Sequence, residues 1–162
     1  MATKKKKVSI APSGSKIIAV NRKARHDFHV LESFTAGLVL KGTEVKSIRA
    51  GKVSLSESFV RIDEGEAYLH ACQIAHYAQG NIHNHDPVRL RKLLITKEEL
   101  KRLHGKVKEK GLTLIPLSMF FQNQWVKLEV GLCKGKQDFD KRDTIAKRDA
   151  DRQIQRAMRH QD

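Results

Sequence analysis

Catalysis or metal binding, if this chain performed either, would have to use the histidines and acids in its middle third. His83 and His85 stand two apart, with His70 and His76 upstream. Imidazoles at that spacing can share a metal ion. A closed zinc site needs a second ligand pair, and Cys72 and Cys133 lie too far off to supply one. A polar loop whose imidazoles bond to backbone accounts for them instead. Glu57, Asp63, Glu64 and Glu66 cluster in sequence as general acid/base groups would. Three of the four fall in a hairpin turn, where carboxylates face water. The chain has no Gly-rich phosphate cradle, no nucleophile elbow and no Cys/His pairing. No enzymatic activity, no metal and no cofactor are therefore expected.

The cationic residues are more informative. Lys and Arg number 32 against 18 Asp and Glu in 162 residues, a formal net charge of +14. That exceeds what solubility asks of a small domain. Nucleic acid is the commonest partner for such an excess, because each neutralised phosphate releases condensed counterions. The cations fall in sets. Arg22, Lys23 and Arg25 come first, with His26 beside them; Lys46, Arg49 and Lys52 follow, then Arg89, Arg91 and Lys92. Arginine offers forked donors for phosphate. With nine aromatics, most of them needed for a core, recognition of folded RNA by shape and backbone is favoured over base stacking along an extended strand.

Short strands must position these sets. Residues 1–15 form a Lys-rich arm without periodicity, expected to be disordered. Order begins with a strand at Lys16–Asn21, then a basic turn or single helical turn, then a strand at Phe28–Phe34. Gly37 and Gly42 bracket another, Leu38–Leu40, and a short helix over Glu44–Arg49 ends at Gly51. Ser58–Asp63 alternates apolar and polar, turns at Gly65, and returns as Ala67–Ile74. Residues 79–88 have loop composition, and Arg89–Ile95 reads as a strand. Thr96 and Glu99 form a capping box for a helix that buries Leu100, Leu103 and Val107 and stops at Gly111. Strands at Leu112–Phe121 and Trp125–Leu132 follow, the second with Trp125, Lys127 and Glu129 on the face opposite Val126, Leu128 and Val130. Pro116 argues for an edge position or a bulge. The pattern is mainly β: an open Greek-key barrel of the oligonucleotide-binding type over residues 16–133, with a split α+β sandwich as the alternative.

From Lys134 the composition changes. Residues 134–162 hold nine Lys/Arg and six Asp, too little apolar surface to fold alone. The segment is nevertheless patterned for a helix, with Ala150, Ile154, Ala157 and Met158 on one face and Arg148, Arg152, Arg156 and Arg159 on another. It reads as a tail that folds on a phosphate-lined partner. No apolar run approaches the ~20 residues that span a bilayer, no apolar stretch follows the N-terminal lysines, and two cysteines make no disulfide framework. A cytosolic, monomeric protein is expected.

Five stretches carry a resemblance: Asn21-Arg-Lys-Ala-Arg-His26, Gly42-Thr-Glu-Val-Lys-Ser-Ile-Arg-Ala-Gly51, Asp86-Pro-Val-Arg-Leu-Arg-Lys-Leu-Leu94, Gly131-Leu-Cys-Lys-Gly-Lys136 and Asp140-Lys-Arg142. In this order they resemble the small protein B (SmpB), or SsrA-binding, proteins of bacteria. The resemblance implies an oligonucleotide-binding barrel and a basic C-terminal tail disordered in solution. It also implies the partners: the tRNA-like domain of transfer-messenger RNA (tmRNA), and stalled ribosomes rescued by trans-translation. The barrel would hold the RNA elbow in place of an anticodon arm, and the tail would enter the decoding centre and empty mRNA channel as a helix along ribosomal RNA. Carried onto this chain, the RNA patch gains Asn21, Thr35 (where relatives often have an acid), Leu94, Lys134 and Lys136. The tail set becomes Phe139 (often His or Tyr in relatives), Asp140, Lys141, Arg142, Arg148, Arg152, Ile154, Arg156, Met158 and Arg159. A constitutive ribosomal or nucleoid protein is the competing reading, and an RNA-modifying or nuclease domain is third.

Overall fold

The structure, a computed structural model, describes residues 13–159; most of the arm expected over residues 1–15 lies outside the described residues. In chain order the elements are β1 (Lys16–Val20), α1 (Arg22–Asp27), β2 (Phe28–Leu38), α2 (Gly42–Arg49), β3 (Val53–Ser54), β4 (Phe59–Asp63), β5 (Glu66–His70), β6 (Gln73–Ile74), β7 (Arg91–Leu94), α3 (Lys97–Lys110), β8 (Thr113–Gln122), β9 (Trp125–Gly135) and α4 (Asp138–Arg159), with a 3-10 turn at Asn81–His83.

Every strand pairing is antiparallel. From β8 the sheet runs through β9, β2, β7, β5 and β4, and Val60 of β4 returns to Leu114 of β8, so it closes on itself. β1 pairs with the C-terminal half of β8, and β3 with β6 forms a separate ribbon. The interior is filled by Leu69, Leu114, Met119, Leu128 and Val130, and Leu103 of α3 packs into the same cluster. A second, smaller cluster lies under α1, where Ala24 meets Ile115, Leu117 and Cys133.

Local chemistry explains several boundaries. The β4–β5 hairpin turns on Glu64 and Gly65, both at positive φ (50° and 75°), the backbone that two-residue turns require. Thr96 caps α3 by accepting from the Glu99 N–H at 3.4 Å, and Gly111 ends it at φ 59°. The Glu99 carboxylate does not reach back to the cap; it lies 3.5 Å from Arg102.

Elsewhere the chain departs from its sequence pattern. Leu38–Leu40 is not a separate strand, because β2 runs unbroken through Gly37. Gly37 is a spacing device: a Cβ there would lie 3.3 Å from Cβ of Leu94 on the paired strand. The return strand expected to reach Ile74 stops at His70, where Ala71 takes φ 54° and β6 leaves for another partner. The strand expected over Arg89–Ile95 is confined to β7. Pro116 sits at a bulge in a strand flanked on both sides, the ladder slipping between Pro116 and Ser118. Glu129 is enclosed rather than facing water, its carboxylate accepting from Ser118 Oγ at 2.9 Å.

The sheet extends to Gly135, and the tail follows it: residues 138–159 form one helix with no buried residue. At 22 residues it exceeds the ~12–15 below which isolated helices are marginal. Asp138 and Asp140 occupy its first turn and Arg156 and Arg159 its last, matching the helix dipole at both ends.

Candidate nucleic-acid interface

One end of the closed sheet gathers the first basic set with the root of the tail. Asn21 Oδ1 accepts from the Ala24 N–H at 3.0 Å and starts α1. Arg22 and Lys23 are exposed on it, Arg25 and His26 half-buried. Lys23 is held by Glu57 at 2.7 Å. β2 and β9 end together beneath α1, placing His29 opposite exposed Lys134 and bringing Lys136 beside Arg25. His26 Nδ1 lies 2.8 Å from Asp27, whose carboxyl is held below the usual aspartate range by that contact, with Lys141 and Lys23 adding to it against partial burial. The α4 residues Phe139, Asp140, Lys141 and Arg142 follow directly. Arg22 to His26, Lys134, Lys136 and residues 139–142 thus form one cationic end, separated by some 110 positions in sequence.

The second basic set is exposed on and after α2. Lys46 Nζ stands 5.2 Å from the ring centroid of Tyr77, and the Arg49 guanidinium 6.0 Å from that of Phe121. Beside Arg49 opens a cleft of about 660 Å³ lined by Lys16, Ile17, Gly51, Phe121 and Gln124. Lys16 and Phe121 carry no signal in the sequence. They are paired across β1 and β8, a neighbourhood that no local pattern announces. Thr35 and Leu94 are exposed on β2 and β7, Leu94 with more than half its surface free.

The third basic set is different, and here the structure corrects the sequence reading. Arg91 has no exposed surface. Its Nε donates to Glu44 Oε1 at 2.8 Å, Nη1 to the carbonyls of Cys72 (2.7 Å) and Arg89 (3.1 Å), and Nη2 to that of Pro87 (3.1 Å). Arg89 adds a fork to the same carboxylate at 2.8 and 2.6 Å, and Lys92 pairs with Glu66. Arg91 is therefore no phosphate contact; with Arg89 it binds an internal anion. Asn21 is corrected likewise. It is buried, and its Nδ2 donates to the carbonyls of Leu55 and Pro116, so it joins α1 to the β8 bulge instead of facing RNA. Glu44 is the residue that sequence reasoning misses. It lies in α2, and its partners are more than 40 residues away. Burial opposes its charge, but the Arg89 fork, the Lys41 N–H and Arg91 prevail and hold its carboxyl below the usual glutamate range.

The other chemistry-bearing residues disperse. His85 is buried, bonding Ile74 O at 2.9 Å and Thr43 Oγ1 at 3.1 Å. Glu57 pairs with Lys23, Asp63 with Arg61, and Glu66 with Lys92 and Tyr68. Among the described residues no group of three or more His, Cys, Asp or Glu side chains is placed to hold a metal ion, and no helix is long and apolar enough to cross a membrane.

Comparison with known proteins places this arrangement. The family model of the SmpB protein matches residues 18–160. The chain belongs to the SmpB family. Among its relatives, the SsrA-binding protein of Carboxydothermus hydrogenoformans is 57% identical over 144 residues, covering 89% of this chain and 97% of the relative. That of Desulforudis audaxviator is 54% identical over 150 residues, covering 93% and 98%. A solved chain described as "tmRNA-SmpB: a journey to the center of the bacterial ribosome" superposes with a TM-score of 0.63 at 52% identity, covering 74% of this chain and 85% of that one. The SmpB match includes the residues of α4 as well as those of the closed sheet, so the tail segment is part of the family's own extent.

Proposed function

We infer that this protein binds transfer-messenger RNA and brings it to stalled ribosomes for trans-translation. The carrying observation is the likeness, at 52% identity, to a solved chain whose description names tmRNA-SmpB and the bacterial ribosome. The geometry agrees with it. A closed antiparallel sheet presents two basic sets, and a cationic helix leaves one end. The sheet portion holds the tRNA-like domain through Arg22, Lys23, Arg25, His26, Lys46, Arg49, Lys52 and Lys134, with Thr35 and Leu94 as neighbouring contacts. The helix, about 33 Å long at 1.5 Å per residue, enters the decoding centre and mRNA channel. There Arg148, Arg152, Arg156 and Arg159 face ribosomal RNA phosphates, while Phe139, Ile154 and Met158 meet base or protein surfaces. The protein works by binding, in the cytoplasm, without turnover.

The test separates helix from sheet. Ile154 is exposed, so Ile154→Pro leaves the core untouched while a proline inside a helix costs roughly 3 kcal/mol. Free tmRNA binding should persist and tagging of nascent chains on stalled ribosomes should fail. Full tagging by this variant would show the tail to be a solvated extension. Equal affinity for tmRNA and for an unrelated duplex of equal length at physiological salt would defeat the RNA assignment.

A further inference from the structure

Many cations of the sheet portion already have an anion. Lys23 pairs with Glu57, Arg61 with Asp63, Lys92 with Glu66, Arg102 and Lys106 with Glu32, and Arg89 and Arg91 with Glu44. Lys16 and Arg49 are exposed, and among the described residues neither meets a carboxylate. The fifteen residues that precede Lys16 add four lysines and no acid. Both cations line the cleft of about 660 Å³ where β1, the end of α2 and the β8–β9 hairpin converge. Its volume falls within the ~300–1,000 Å³ typical of small-molecule sites. Phe121 rests against the core cluster and also lines the cleft, and the Arg49 guanidinium stands 6.0 Å from its ring centroid, at the outer limit of cation–π attraction. The end of α2 adds little competing charge, because the Ala50, Gly51 and Lys52 N–H groups already occupy the carbonyls of Lys46, Ile48 and Ser47. Gln124 is the unusual lining residue. The β8–β9 turn has Asn123 at φ 49° and Gln124 at φ 69°, the two positive angles of a primed hairpin turn, whose usual second residue is glycine. A glutamine there carries backbone strain that the hairpin itself does not need.

We propose that this cleft holds one unpaired nucleotide of the tRNA-like domain, its base on Phe121, its phosphate against Lys16 and Arg49, and Gln124 at the base edge. The proposal rests on the tmRNA reading and adds to it a contact with a base. Cations on phosphate position an RNA without reading it, whereas base contacts specify. In folded RNA the readable bases are those unstacked in loops and bulges, and they pack on aromatic rings and guanidinium planes. The cleft supplies one of each. Nine aromatics are too few for an extended strand, but one ring suffices for one base. The Gln124 amide donates and accepts at once, as the edge of a base does.

The experiment uses the full-length chain and a transcript of the tRNA-like domain, with acylation of ribose 2′-hydroxyls reporting the freedom of each nucleotide. The parent should immobilise one unpaired nucleotide. Phe121→Leu should free that nucleotide, leave the rest of the footprint in place and weaken binding by about 5- to 150-fold, the usual effect of losing one stacked base. Its log–log salt slope should match the parent's, since no phosphate contact is lost. Phe121→Tyr restores a ring and should restore the protection. Lys16→Ala should instead lower the slope by about 0.7–0.9. Gln124→Gly deletes the amide and relaxes the turn, so affinity should fall several-fold while the thermal midpoint holds or rises. Phe121→Leu with parent affinity and the nucleotide still immobilised overturns the proposal. Because Phe121 also touches the core, Lys16→Ala and Gln124→Gly decide the matter should Phe121→Leu fail to fold, and parent affinity in both overturns the cleft. Loss of ribosome binding with unchanged tmRNA binding would give the cleft to ribosomal RNA and overturn it likewise. A parent that binds the transcript no better than an unrelated duplex sinks the tmRNA reading itself; a selective parent with inert cleft variants sinks the cleft alone.

Discussion

Glu44 and Arg91 meet with neither side chain exposed, carboxylate Oε1 to guanidinium Nε at 2.8 Å, across 47 positions of sequence. The pair is completed by Arg89 from the rim, so one anion is shared by two cations of the same short segment. This cluster ties α2 to the approach of β7 and to the carbonyls of Cys72 and Pro87.

Removing one partner of such a pair strands the other charge in a dry site, which costs about 3–5 kcal/mol. Arg91→Ala should therefore lower the thermal midpoint by on the order of 10 °C for a chain of this size. Below its new midpoint the variant should retain the salt dependence of RNA binding. A reduced slope with an unchanged midpoint would mean that Arg91 reaches phosphate after all.

The same carboxylate makes stability depend on pH. Its folded value is depressed below the ordinary 4.5, so its contribution is fully present above that value and is lost as pH falls through the folded one. Chemical denaturation from pH 7 down to pH 3 should show the parent losing more stability than Glu44→Gln, the two curves converging in acid. Parallel curves would assign the acid limb to other carboxylates, such as Glu32, which Lys106 and Arg102 hold low at the surface.

Lys46, Arg49 and Lys52 are exposed and carry no buried partner. Their joint replacement by Ala should leave the thermal midpoint nearly unchanged. Each phosphate left without its cation should reduce the log–log salt slope of tmRNA binding by about 0.7–0.9. An unchanged slope would turn this face away from tmRNA.

Cys72 and Cys133 should be silent in the native protein. With both thiols pushed up to about 11 by burial, only roughly one molecule in a thousand carries either thiolate at pH 8. Alkylation should proceed only as fast as the chain opens and should reach both sulfurs in denaturant. Rapid native labelling would contradict the enclosure of β9 and of the segment after β5.

Much of the scaffold is legible because it is written in neighbours. The Glu64-Gly65 turn, the Thr96 cap, the Gly111 stop and the alternation of Ser58–Asp63 are each decided within a few residues, and the structure keeps all four. The exposed pair Lys46 and Arg49 is readable for the same reason: three-residue spacing on α2 puts both on one solvent face. Errors arise where a signal has two physical meanings. Gly37 looks like a strand end and is a point of close approach to Leu94; Pro116 suggests an edge or a bulge, and the bulge is what forms.

Charge count and local period by themselves determined that the chain is a basic, mainly antiparallel β protein with a helix-patterned tail, because composition and short-range patterning are properties of the chain before it folds. Tertiary structure decided which cations face outward. Arg89 and Arg91 carry the same formal charge as Arg49, and no local feature distinguishes them. Only closure of the sheet brings Glu44 against them, and a buried carboxylate outcompetes water for a guanidinium once the site is dry. The contacts at the root of α4 were decided in the same way. Helix propensity can make those 22 residues a helix, but Lys136 can reach the Arg25 carbonyl only after β2 and β9 have paired to their ends.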